Sequence, residues 1–111
     1  MAMRLGFSDT IDVPVAGTIP EAGGRKTDFS FTLTCKRVSA EESKTDKRGF
    51  SDFITDVTQG WSGMQDRSGA DLPFDRAALK ELLDVFGMDV HIFNAYVDAI
   101  SVKAKEKNSG R

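Results

Sequence analysis

Few residues in this chain could do bond-making chemistry. His91 is the single histidine, so a catalytic triad or a histidine–metal site would have to use it. Asp89, Asn94 and Asp98 are its acidic and amide neighbours, and none stands at a recognised spacing for either role. On a helix, Asp89 and His91 are two apart and do not share a face. A general base also needs partners that orient it, so His91 reads as a structural or surface histidine. Cys35 is the single cysteine, which excludes an internal disulfide and a multi-cysteine metal site. It has the same parity as Phe29, Phe31 and Leu33, so it reads as a small buried hydrophobe rather than a thiol in an electropositive, exposed setting. Asp66-Arg67-Ser68-Gly69-Ala70-Asp71 has a superficial likeness to a calcium loop. Asp71 stands where that loop needs glycine and Ala77 where it needs glutamate, so a tight turn is the expectation. Gly23-Gly24 lacks the following lysine-serine or lysine-threonine pair of a phosphate loop. Phe29-Ser30-Phe31 resembles the base-stacking aromatics of RNA-binding sheets, but the series continues into Leu33 and Cys35 as a core face would.

The aromatic and apolar residues around one turn-rich segment are a different matter. Trp61, Met64, Phe74 and Phe86 either cap the core or line a groove for a partner protein. They are the candidate partner-binding residues. No catalytic residue, cofactor or metal ligand is expected.

Around these residues the elements follow from periodicity. Over residues 5–15 the apolar side chains Leu5, Phe7, Ile11, Val13 and Val15 fall on odd positions, the alternation of a half-buried strand. Pro14 cannot donate to a ladder, which places that strand at a sheet edge or at a bulge. A glycine-rich loop over 17–26 leads to a second strand, in which Phe29, Phe31, Leu33 and Cys35 alternate with polar residues. Together the two read as a hairpin. Ser39 with Glu42 fits a capping box. Phe50, Phe53, Ile54 and Val57 form a helical stripe that Gly60 ends, and a frayed start or a loop precedes it. A short hairpin with its tip at 66–71 follows. Asp75 then caps a helix burying Leu79, Leu82, Leu83 and Phe86. After Gly87, with Asp89 as cap, comes a last helix with Phe93, Tyr96, Val97 and Ile100 on its stripe and basic residues at its end. The expected fold is α+β: a small antiparallel sheet, made of an N-terminal hairpin and a short second hairpin, with three helices packed on one face. It forms one domain over residues 1–102, followed by a polar basic tail over 103–111.

Composition supports a single globular domain and narrows the partners. The 111 residues are 40% hydrophobic and 29% charged, ordinary values for a folded domain. The net charge of −2 and pI near 5.3 argue against nucleic-acid binding through bulk charge. No stretch reaches the roughly 18–20 apolar residues of a bilayer span, and residues 1–9 lack a signal-like apolar run. The expectation is a protein that stays in the cytoplasm.

Several motifs together carry a family resemblance. Asp56-Val57-Thr58-Gln59-Gly60-Trp61-Ser62-Gly63-Met64 is followed by the turn at 66–69 and by Leu72-Pro73-Phe74-Asp75 opening a leucine-rich helix. With Leu5-Gly6-Phe7-Ser8-Asp9 before them and Ile92-Phe93-Asn94-Ala95-Tyr96 after them, these stretches resemble the small tail assembly chaperones of tailed phages and prophages, the analogues of the lambda G protein. The resemblance covers about residues 4–100. It implies a non-enzymatic protein of the bacterial host cytoplasm that binds and solubilises the tape measure protein and aids assembly of the tail tube protein around it. Many such proteins also exist in a longer, frameshifted form, and this chain would be the short one. Many weakly bound copies on one long client would hold it by multivalency. The strand carrying Pro14 could mediate self-association between copies, although proline more often blocks strand pairing. Two other readings stand beside this one: a tail structural or completion subunit, and a small nucleic-acid-binding regulator.

Overall fold

The computed structural model describes residues 2–3, 5–45 and 48–104. The sequence expectations for the tail from 105 onward and for Asp46 and Lys47 lie outside the described residues. The core is built on a long hairpin. Strand β1 (Thr10–Pro20) pairs antiparallel with β2 (Lys26–Lys36), in unbroken register from Thr10 opposite Lys36 to Pro20 opposite Lys26. Gly23 and Gly24 turn the chain at φ near 75°, where a β-carbon would be strained. Period-2 alternation puts Val13, Val15, Phe31, Leu33 and Cys35 on one face, all buried. The opposite face carries Asp12, Pro14, Ala16 and Ser30 and is exposed.

The alternation of β1 begins earlier in sequence than the strand does in space. Leu5 and Phe7 share its odd parity yet stand 87% and 58% exposed. The reason is the partner. β2 ends at Lys36, and the last cross-strand bond runs from the Arg37 N–H to the Asp9 carbonyl at 2.8 Å. Beyond that point nothing is left to pair with. At the other end the strands run further into the expected loop, to Pro20 and from Lys26.

The third strand lies where the end of a helix and one side of a second hairpin were expected. Helix α1 (Ala40–Thr45) opens on the predicted capping box, with Ser39 N–H donating to Glu42 Oε1 at 2.9 Å and Glu42 N–H donating to Ser39 Oγ at 3.1 Å. Helix α2 (Phe50–Val57) buries Phe53, Ile54 and Val57. It stops at Thr58, whose hydroxyl donates to the Ile54 carbonyl at 2.7 Å. The chain then runs straight through Gly60 as β3 (Thr58–Ser62), pairing antiparallel with β2 so that Trp61 faces Leu33. The sheet order β1-β2-β3 leaves β1 at an edge, where Pro14 is tolerated. Of the expected second hairpin only a single bridge remains, Gln65 opposite Asp71.

Helix α3 (Arg76–Leu83) is capped as expected, Asp75 Oδ1 accepting from the Ala78 N–H at 2.7 Å. It buries Leu79, with Leu82 and Leu83 half-buried. Phe86 does not join that face, because the helix ends three residues before it. Helix α4 (Met88–Ile100) begins after Gly87, whose φ of 83° only glycine adopts readily. Gly87 therefore takes the cap position expected of Asp89. The buried line of α4 is Met88, Ile92 and Tyr96; Val97, expected on the stripe, is 42% exposed. The helix ends at Ile100, so Lys103 lies past it and bonds back to the Asp98 carbonyl. Helix α4 packs on β1, α2 on α4, and α3 against both. Among the described residues the fold is α+β, a three-stranded antiparallel sheet with four α-helices, three of them packed as a layer on its apolar face.

Candidate partner-binding surfaces

The four residues singled out from sequence fall in two places. Trp61 sits half-buried on β3, its indole N–H donating to the Leu72 carbonyl at 2.9 Å. Its ring meets Phe74 edge-on at 5.1 Å, a favourable aromatic geometry. Arg76 lies 5.6 Å from the Phe74 ring and donates to the Thr58 carbonyl at 2.9 Å. Met64 packs against the core beside them. These contacts tie the segment between β3 and α3 back onto the sheet. At the tip, Asp66 Oδ1 accepts from Ser68 Oγ at 2.6 Å, Ser68 N–H at 2.8 Å and Ala70 N–H at 3.1 Å. The carboxylate is spent on its own turn, and the bond from the Ser68 hydroxyl leads in holding its pKa below the ordinary value.

Phe86 stands apart, on the turn between α3 and α4, with its ring wholly exposed. Val85 and Val90 beside it are also exposed. Together with Ile19, Pro20, Phe29 and Met88, the Val85–Phe86 turn borders a shallow cleft of about 180 Å³ at the far end of the β1–β2 hairpin. His91 reaches this cleft, its Nε2 2.7 Å from the Ala16 carbonyl and its ring edge-on to Phe29 at 5.9 Å. Gly17 makes that approach possible: a β-carbon there would stand 2.9 Å from Phe29 Cζ and 3.0 Å from His91 Nε2.

A second apolar hollow, of about 160 Å³, opens at the opposite end of α4. Phe50, Phe53, Phe93, Val97, Ile100 and Val38 line it together with Ser43 and Arg48, and the Phe50 and Phe93 rings meet at a tilt with centroids 4.7 Å apart. Sequence reasoning missed it, because it assigned these side chains to buried stripes. The available signal was their number: α2 and α4 together carry more apolar positions than one helix seam can cover.

Cys35 is buried, its Sγ 3.8 Å from Thr58 Oγ1. Burial pushes its thiol pKa up, against a smaller lowering by the Thr58 contact. A thiol held neutral in this way is a poor nucleophile. Among the described residues, no group of three or more His, Cys, Asp or Glu is placed to hold a metal ion. Nor is any helix among them long and apolar enough to cross a membrane.

No protein-family model matches the chain, and no solved structure does. The chain is similar to the large ribosomal subunit protein uL1 of Chlorobium chlorochromatii, at 34% identity over 68 residues, which cover 58% of this chain. It spans 30% of that protein's length.

Proposed function

We propose that this protein is a non-enzymatic tail assembly chaperone of a phage or prophage, acting in the host cytoplasm to keep the tape measure protein soluble while the tail tube protein assembles around it. The observation behind this reading is Phe86. A fully exposed phenylalanine adds nothing to its own core, yet its burial against a partner is worth about 1.5–3 kcal/mol. With Val85, Val90 and the cleft behind them, it offers a small apolar patch suited to one face of an amphipathic client helix. One such patch binds weakly. Many copies along a long client bind strongly together, and a net charge of −2 per copy keeps the assembly dispersed. The sequence motifs around Trp61 and Leu72-Pro73-Phe74 give the family resemblance. Their side chains serve the fold, which leaves Phe86 as the client contact.

The test is co-expression with a long helical protein encoded by a neighbouring gene, the client this reading requires. The wild-type chain should raise the soluble fraction of the client, and Phe86→Asp should abolish the effect while leaving the circular dichroism spectrum unchanged. Equal client solubility with and without the wild-type chain would refute the assignment. A second reading, association with a ribosomal particle, has the 68-residue similarity to uL1 behind it. It predicts co-sedimentation with ribosomal subunits that weakens steeply with added salt.

A further inference from the structure

We infer that two copies of this chain dimerise by exchanging the arm that precedes β1, each placing Phe7 in the hollow between α2 and α4 of the other. Two apolar features without a partner among the described residues lie at the same end of the fold. One is the arm, on which Met3, Leu5 and Phe7 are all more than half exposed. The other is the hollow lined by Phe50, Phe93, Val97 and Ile100. They share an end because α4 runs antiparallel to β1. Its first turns meet β1 at Ala16 through His91, and its later turns meet the Lys36–Val38 corner through Tyr96. Lys36 lies opposite Thr10, where the arm begins. Val102, two residues past the end of α4, is also fully exposed.

Size selects the occupant. A hollow of about 160 Å³ is close to the roughly 150 Å³ that accommodates a benzene ring in a protein interior. Phe7 supplies such a ring, and Leu5, two residues before it and exposed, adds apolar surface to the same arm. The root of the arm decides that the hollow filled is a partner's. Ser8 Oγ donates to the Thr10 carbonyl at 2.9 Å, Arg37 Nε to the Ser8 carbonyl at 3.2 Å and the Arg37 N–H to the Asp9 carbonyl at 2.8 Å. These bonds pin the backbone through Ser8 to the end of the hairpin, and Phe7 is not among the residues that line its own hollow. Reciprocal exchange closes a two-fold interface in which each arm–hollow contact is made twice. The surface is remote from Phe86, so the client patches of both copies stay free.

Sedimentation equilibrium of the full chain tests the inference. The wild-type protein should dimerise, and Phe7→Asp and Val97→Asp should each weaken dimerisation by at least about 100-fold, since each change is felt twice per dimer. Both side chains are substantially exposed, and unchanged circular dichroism spectra verify that the variants fold. An equimolar mixture of the two variants should recover a heterodimer, because one intact arm then meets one intact hollow. A wild-type monomer across the concentration range overturns the inference. So does a dimer that either substitution leaves intact, or a mixture that fails to associate.

Discussion

Tyr96→Phe removes one oxygen atom, and the structure says what that atom holds. The Tyr96 hydroxyl donates to the Lys36 carbonyl at 2.8 Å and accepts from the Val38 N–H at 3.2 Å. It therefore joins α4 to the corner where β2 ends. The ring lies edge-on to Phe53 at 5.3 Å, and phenylalanine keeps that contact and the volume. What is lost is two hydrogen bonds, each worth about 0.5–1.5 kcal/mol net, with an added cost where a backbone group is left unpaired. Val38 borders the open hollow, so water can reach one of the two orphaned groups. The expected destabilisation is about 1–2 kcal/mol, a fall in Tm of roughly 4–12 °C for a domain near this size. Trp61, the single tryptophan and half-buried on β3, reports unfolding by fluorescence in a urea titration. The midpoint should fall with an unchanged slope. Tyr96→Leu, which also loses the ring contact, should cost more. A Tyr96→Phe midpoint within about 0.5 kcal/mol of wild type would refute the clamp.

Three further outcomes follow from named contacts. Gly17→Ala should destabilise by about 1–3 kcal/mol through overpacking and break the His91–Ala16 bond, visible as a shift of the His91 ring resonances, because the new β-carbon would sit 2.9 Å from Phe29 Cζ. Asp75→Ala should cost about 1 kcal/mol by leaving the Ala78 N–H without its cap, read as a lower urea midpoint. Burial raises the pKa values of both Cys35 and Tyr96 above their ordinary values. Their neutral forms therefore stabilise the fold fully below those values, and this stability is lost as pH rises through the folded values. The urea midpoint should decline above about pH 9, and the decline should be shallower in Cys35→Ala and in Tyr96→Phe.

Local chemistry was legible wherever a residue acts on its near neighbours. The Ser39–Glu42 box, the Asp75 cap and the turn around Asp66 depend on contacts within four residues, so spacing alone predicts them. The core face of the hairpin was equally legible, because strand alternation sorts side chains by parity before any partner is known. The assignment of Phe86 to a buried helix face failed for a different reason. Periodicity says which residues share a face of α3, but the helix stops at Leu83 and carries Phe86 out into the turn. The sequence places Trp61 on the ingoing side of a short hairpin with its tip at 66–71, whereas β2 offers a free edge that draws residues 58–62 into the sheet.

The amino-acid sequence by itself determined the α+β class, the hairpin and its buried face, the main helices and two of their caps, because these follow from periodicity and short-range hydrogen bonding. Tertiary structure alone decided how far each strand runs, since a strand ends where its partner ends. It also decided which apolar side chains stay outside. Leu5, Phe7, Phe50, Phe86 and Val97 are as hydrophobic as the residues of the core. Burial belongs to the space between elements, and that space exists only once the chain has packed.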